Sequence, residues 1–376
     1  MIILEKPYVS DFLIETIKKN NYSVLENEIS KELLPNSFLI SKEQAIEAYK
    51  NGENFYTNSE NSISWIGENL PSSQLNQYIE ISKNKALFRK KTQSIYPSYK
   101  FFEVSLEEIN KLENLTFPFI LKPTVGFLSF GVYPVYNEQD WKNVLSKLKE
   151  DIERLKNIFP KNVVDMTNFI IEDMIEGDEY ALDVYFDNEA KANILNIYKH
   201  PFLNSKDVSD RLYYTSKAII EQYLESFEEL LNKISNCCGF KNFPCHIELR
   251  VDNNKAIPIE INPLRFCGWC ITDITKYAWN FNIYEYYFEK KRPDWKNILK
   301  NKGDEKYYFT IADLPKGKIK SVNYEKYLKN ISNPLCIRKI DYTKNPIFAI
   351  VFAKTNSNDE IKNLLEMNTE QFCTFF

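Results

Sequence analysis

With 376 residues the chain is long enough for two or three lobes, and a composition 44% hydrophobic and 15% aromatic excludes the disordered class. Its 48 basic and 52 acidic residues leave a net charge of −4, which argues against an obligatory nucleic-acid partner and against a polybasic membrane surface. The N-terminus lacks the layout of a signal peptide, and no apolar run approaches the ~20 residues of a membrane span. Seven cysteines, an odd number without an export signal, read as the reduced thiols of a cytoplasmic protein.

Residues 1–84 mix short helical and extended stretches, with turn signals at 51–54 and 69–73 and no chemical motif. The spacing predicts a basic helix over 82–93 and an extended run after it. A second helix is expected over 105–115, opened by Ser105 and Glu108 as a capping box. A buried strand at 117–123 ends on Lys122, and a strand at 131–137 closes a hairpin on it. A long amphipathic helix is expected over 138–158. Strands follow at 168–174 and 179–187, either side of Gly177, the second alternating apolar and polar. Residues 217–238 read as a strong helix. Residues 246–252 and 256–262 form a hairpin joined by Asn253, Asn254 and Lys255. Residues 272–291 read as helical, and the remainder as α+β. There is no internal repeat and no low-complexity segment.

The hairpin at 246–262 carries the chemistry. Alternation puts His246 and Glu248 on one face of their strand, and Glu260 and Asn262 on one face of the partner. If those faces coincide, two carboxylates and an amide converge, and like charges so close need a cation between them. That donor set suits a hard ion, Mg2+ or Mn2+. The alternative is that both glutamates face water on an edge hairpin. Lys122 precedes a loop with Gly126, Ser129 and Gly131. There it can hold phosphate oxygens, or else it snorkels to solvent. Glu172 and Glu179 flank a strand–turn–strand crossing, where they can read an adenine amino group and ribose hydroxyls or simply be solvated. Lys199 and His200 lie just beyond the second strand. Arg211 sits in a polar loop where a guanidinium can clamp a carboxylate. The run Cys267-Gly268-Trp269-Cys270 has no second knuckle of the kind a structural zinc site shows, and reads as buried thiols.

Five stretches in order, "SKNKALFRK", "FPFILKPTVGFLSFGV", "FIIEDMIEGDEYALDV", "HIELRVD" and "IPIEINPLRFCGW", give the chain between about 80 and 290 a pattern that resembles the ATP-grasp superfamily, in its carboxylate–amine ligase-like form. The resemblance implies an α/β (α+β) chain whose two α+β lobes grip a nucleotide. It divides into an N-terminal α/β pre-domain at 1–84, a lid lobe at 85–171, a catalytic lobe with the metal site at 172–300, and a C-terminal α+β extension at 301–376. Lys85 and Lys122 match the lysines that grip the phosphates, with Lys199 where a further base often lies. Glu172, Asp173 and Ile175 match the adenine edge and its hinge, and Glu179 the ribose carboxylate. Glu248, Glu260 and Asn262 match the Mg2+ ligands.

Arg265 resembles the arginine that faces the reacting phosphate, but it stands one residue later than in many members, after Leu264. Arg250, on the face of Glu248, is the substitute, and Arg211 and His200 are placed for substrate. Phe127, Leu128 and Phe130 make the lid loop bulkier than usual and either shield the phosphates or belong to the core. The implied activity is a C–N ligase using ATP and Mg2+ (or Mn2+). It activates a small-molecule carboxylate as an acyl phosphate for attack by an amine. It needs neither nucleic acid nor membrane, works in the cytoplasm, and is compatible with a homodimer. The alternatives are an ATP-grasp phosphotransferase or nucleotide-binding protein and, more distantly, a non-haem iron oxidoreductase built on His200, His246 and Glu248.

Overall fold

The computed structural model describes residues 1–126, 131–155, 165–204, 207 and 209–376. The lid-loop residues Phe127, Leu128 and Phe130, and the end of the expected helix at 156–158, therefore lie outside the described residues.

The N-terminal domain is a small parallel sheet of two-residue strands, in the order Leu39–Ile40, Val24–Leu25, Ile2–Ile3, Tyr56–Thr57. Its strands survive at this length because Ile2, Ile3, Val24 and Leu25 are buried against helices on either side. The helix Asp11–Asn20 starts at Ser10, whose hydroxyl accepts from the Phe12 and Leu13 amides, and stops at Asn21 in the left-handed region.

A second lobe is a four-stranded antiparallel sheet in the order Phe101–Ser105, Asp165–Asp173, Phe119–Val125, Tyr133–Val135. Helix Glu138–Leu155 covers it, and Phe119, Leu121, Trp141, Leu148, Phe169 and Ile171 form its core. The third unit is an eight-stranded antiparallel sheet in the order Lys255–Pro263, Phe243–Asp252, Asp178–Phe186, Ala192–His200, Leu212–Thr215, Lys306–Asp313, Ile347–Thr355, Pro334–Lys339. Helix Lys217–Cys238 packs on it through Ile220, Phe227, Leu231 and Ile234. Among the described residues no helix is long and apolar enough to cross a membrane.

Several expectations change. The helix expected over 105–115 is absent. Ser105 ends a strand, its hydroxyl donates to the Glu108 carboxylate, and one 3-10 turn at Ile109–Lys111 follows. Ile109 is wanted in the core of the lobe, and Asn114 takes a left-handed φ of 57°, so the chain turns rather than propagating a helix. The expected helix at 82–93 breaks at Asn84, which caps a new helix at Lys85–Thr92. The one at 272–291 breaks at Asn280 into Ile274–Trp279 and Ile283–Phe288. Asp178–Phe186 does not alternate: Glu179 to Phe186 are all buried, because this strand lies inside the sheet with both faces covered. The expected boundary at 171/172 falls within the strand Asp165–Asp173, and the one at 300/301 is crossed by a single sheet.

Candidate functional site

A cavity of about 290 Å³ lies where the small lobe faces the large sheet, and both lobes line it. The hairpin supplies its floor. Asn253 and Asn254 both take positive φ, 47° and 63°, as a tight turn of matching twist requires and as Asn tolerates. That turn pairs Asp252 with Lys255 and runs to Leu249 opposite Pro258; the register then shifts by one residue at Ile259, and this shift places Glu248 opposite Glu260 and His246 opposite Asn262. The faces therefore coincide, and Glu248, Glu260 and Asn262 all line the cavity.

Lys85, first residue of its helix, reaches across to Glu260 at 3.0 Å and donates to the Gly126 carbonyl at 3.3 Å. Among the described residues Glu248 receives only the Asn262 amide at 3.2 Å, with the His246 ring nitrogen 3.8 Å away. Burial, and then Glu260, Glu179 and Asp210, push the Glu248 carboxyl well above the usual carboxylate range. Two opposed carboxylates and an unused amide oxygen, short of one positive charge, fit a divalent cation. His246 is held from behind by Asp183, at 2.9 Å.

The small lobe closes the other side. Lys122 points into the cavity from mid-strand rather than from a strand end. It is ion-paired with Glu172, whose other oxygen takes Arg89 Nε at 2.7 Å. Burial alone would raise the Glu172 carboxyl, but Arg89 and Lys122 outweigh it and hold it at about 2. Arg89 also donates to the Pro258 carbonyl at 2.8 Å, tying this cluster to the hairpin. Sequence reasoning assigned Arg89 no role. The available signal was its place one helical turn after Lys85, on the same face.

Asp173 and Ile175 line the cavity at the crossing between lobes, and Glu179 lies beyond Gly177. Gly177 has φ 97° against the backbone of Val251, where a Cβ would stand 2.1 Å from the Val251 carbonyl oxygen. Arg250 bridges the crossing, 3.2 Å from Glu179 and 3.0 Å from the Ile175 carbonyl. The ring of His200 sits between Glu179, at 3.0 Å, and the Ser209 carbonyl, at 3.1 Å.

Two expected residues are not brought to the cavity. Lys199 is on the opposite face of its strand from His200, paired with Asp178 at 2.6 Å over the ring of Tyr180. Alternation along the strand sends it away. Arg211 donates to the Leu365 and Met367 carbonyls and to Asp313, so it ties the C-terminal segment down instead of clamping substrate. The iron triad also fails. Both ring nitrogens of His200 face acceptors other than a shared centre, and among the described residues no three His, Cys, Asp or Glu side chains are disposed around a common metal position.

One residue came from outside the motifs. Glu60, in the N-terminal domain, lines the cavity and accepts from Arg265 Nη2 at 2.8 Å and from Lys83. Against the raising effect of burial, Lys83 and Arg265 hold its carboxyl at about 2.

Two lobes closing on one charged cavity, floored by an acidic hairpin and walled by lysines, define a nucleotide-gripping fold. Residues 115–273 match the ATP-grasp domain. Over 214 residues the chain is 28% identical to D-alanine–D-alanine ligase A of Bacillus cereus. That match takes in 54% of this chain and 62% of the ligase, so less than two thirds of the relative is spanned. Among solved structures, an L-amino acid ligase from Bacillus licheniformis superposes with a TM-score of 0.69 at 14% identity, over 100% of this chain and 98% of that one. A biotin carboxylase from Campylobacter jejuni, solved as a β-γ-ATP complex, superposes with 0.65 at 14% identity, over 99% of this chain and 91% of that one. Phosphoribosylglycinamide synthetase from Anaerococcus prevotii gives 0.62 at 14% identity, over 100% and 98%. At such identities these structures speak for the fold. Residues 115–273 thus match an ATP-grasp domain, and the chain shares the fold of these structures from end to end.

Proposed function

We propose that the protein is an ATP-dependent ligase that activates a small-molecule carboxylate as an acyl phosphate for attack by an amine, releasing ADP and phosphate. The observation that carries this is the gathering of Lys85, Lys122, Glu179, Glu248, Glu260 and Asn262, from two lobes, around one cavity. In this reading Lys85 and Lys122 hold the phosphates. Glu172 keeps the Lys122 ammonium in place, and Asp173, Ile175 and Glu179 line the adenosine end. Glu248, Glu260 and Asn262 would hold Mg2+ or Mn2+, whose positive charge would offset the negative charge of the phosphates. Arg265, with Arg250 as substitute, stabilises negative charge on the transferring phosphoryl group. His200 is left to position Glu179. No side-chain nucleophile is required.

The substrates are a small acid and a small amine, with no part for nucleic acid or membrane. Seven free cysteines suit the reducing cytoplasm where ATP is supplied. The test is incubation with ATP, Mg2+ and pairs drawn from a panel of amino acids and small acids, followed by phosphate release and mass spectrometry of products. ADP, phosphate and an amide are expected. ADP with a phosphorylated product and no amide would make it a phosphotransferase.

A further inference from the structure

We propose that Glu60 is a positioning residue for Arg265, so that the N-terminal domain completes the reaction site. This rests on the reading of Arg265 as the arginine that faces the reacting phosphate. The extra residue before it, Leu264, is accommodated in the left-handed region at φ 60°. Its amide donates to the Pro244 carbonyl and its carbonyl accepts from the Thr57 amide, each at 2.8 Å. The loop is thereby clamped between the large sheet and the N-terminal domain, where the rings of Tyr56 and Phe266 also meet at 5.3 Å.

Three residues beyond Thr57, Glu60 receives Arg265 Nη2 at 2.8 Å, while Nη1 donates to the Phe266 carbonyl at 3.0 Å. Those two bonds fix the plane of the guanidinium. A guanidinium has five N–H donors, so the donors not engaged here are left for whatever enters the cavity that Arg265 lines. Lys83, at the end of helix Gln74–Lys83, binds the other oxygen of Glu60. Glu60 is thus held on both sides, and it holds the arginine in one orientation. The side chains of Glu60 and Arg265 are each 14% exposed, so water competes poorly for the tie. A flexible side chain displaced along a register shifted by one residue needs such an anchor, since a misplacement of about 1 Å at a reacting centre costs up to ~10²-fold in rate.

The experiment is a double-mutant cycle on the full chain with Glu60→Gln and Arg265→Lys, read by single-turnover phosphate release and by calorimetry with a non-hydrolysable ATP analogue. Glu60→Gln should slow the chemical step roughly tenfold or more, with analogue affinity and the KM for the acid within about twofold of wild type. In the Arg265→Lys background the same change should cost less than about twofold, because the group it holds is gone. Equal losses in both backgrounds, or a loss confined to KM, would overturn the proposal. If Glu60→Gln does not fold, Glu60→Asp keeps the charge but withdraws it by one methylene, and wild-type turnover there would overturn the tie. Wild-type turnover in Arg265→Lys would sink the reading of Arg265 itself; a slow Arg265→Lys beside an unaffected Glu60→Gln would sink the tie alone.

Discussion

The two ends of the cavity hold similar side chains in opposite states of balance. At the small-lobe end one carboxylate, Glu172, lies between two cations, Arg89 and Lys122, and all three side chains are at most 6% exposed. At the hairpin end two carboxylates, Glu248 and Glu260, face each other across a register pair, and one lysine reaches one of them. Like charges facing each other away from bulk water repel, so the second arrangement is costly until a cation arrives. The first has one positive charge in excess, on the side of the lysine that lines the cavity, and suits an anion. The second has one negative charge in excess, which a cation would relieve. Buried charge alone does not mark a site; buried charge out of balance does.

The largest expected effect breaks the cationic end. Glu172→Gln leaves Arg89 and Lys122 buried without their anion, and should lower the free energy of unfolding by about 3–5 kcal/mol in urea titrations. The same contrast has a pH signature. Glu172 and Glu60 sit at about 2 when folded against 4.5 ordinarily. Folding thus favours their charged forms, whose contribution is full above about pH 4.5 and is lost as the pH falls toward 2. Glu172→Gln should flatten that acid limb; an unchanged limb would mean the cluster contributes nothing to it.

Next in size is Arg265→Lys, which keeps the charge and loses the planar fork. A loss of about 10²-fold in kcat is expected with ATP affinity nearly unchanged. A rise only in the KM for the acid would make Arg265 a substrate clamp and move the phosphate role to Arg250.

At the acidic end, Glu260→Gln should cost roughly tenfold or more in kcat and raise the Mg2+ concentration needed for half-maximal rate. A folded Glu260→Gln protein with wild-type turnover would refute the metal assignment.

The smallest effect sharpens the comparison. Lys122→Ala should weaken ATP binding by calorimetry. Lys199→Ala, which removes a pair with the exposed Asp178 and a contact over the Tyr180 ring, should leave affinity unchanged and stability within about 1 kcal/mol. Equal affinities for both variants would show that Lys122 does not meet the phosphates.

What the sequence by itself determined was whatever depends on neighbours along the chain. Alternation put Glu248 with His246 and Glu260 with Asn262, and the Asn253-Asn254 turn closed the hairpin, but the two faces coincide only through the one-residue register shift at Ile259. The helix Lys217–Cys238 was legible for the same reason, with its apolar face at helical spacing and Gly239 at φ 76° to end it. The order of motifs carried the fold.

Tertiary structure decided what depends on the far side of a contact. The capping box at Ser105 lost to the core's demand for Ile109, and the strand Asp178–Phe186 carries no alternation because both of its faces are covered. Lys199 and Arg211 were positive charges at plausible spacings, and only the strand face and the C-terminal segment sent them elsewhere. Glu60 had no local mark at all. It meets Arg265 from 205 positions away, and a pairing at that separation leaves no period in the chain for a reader to find.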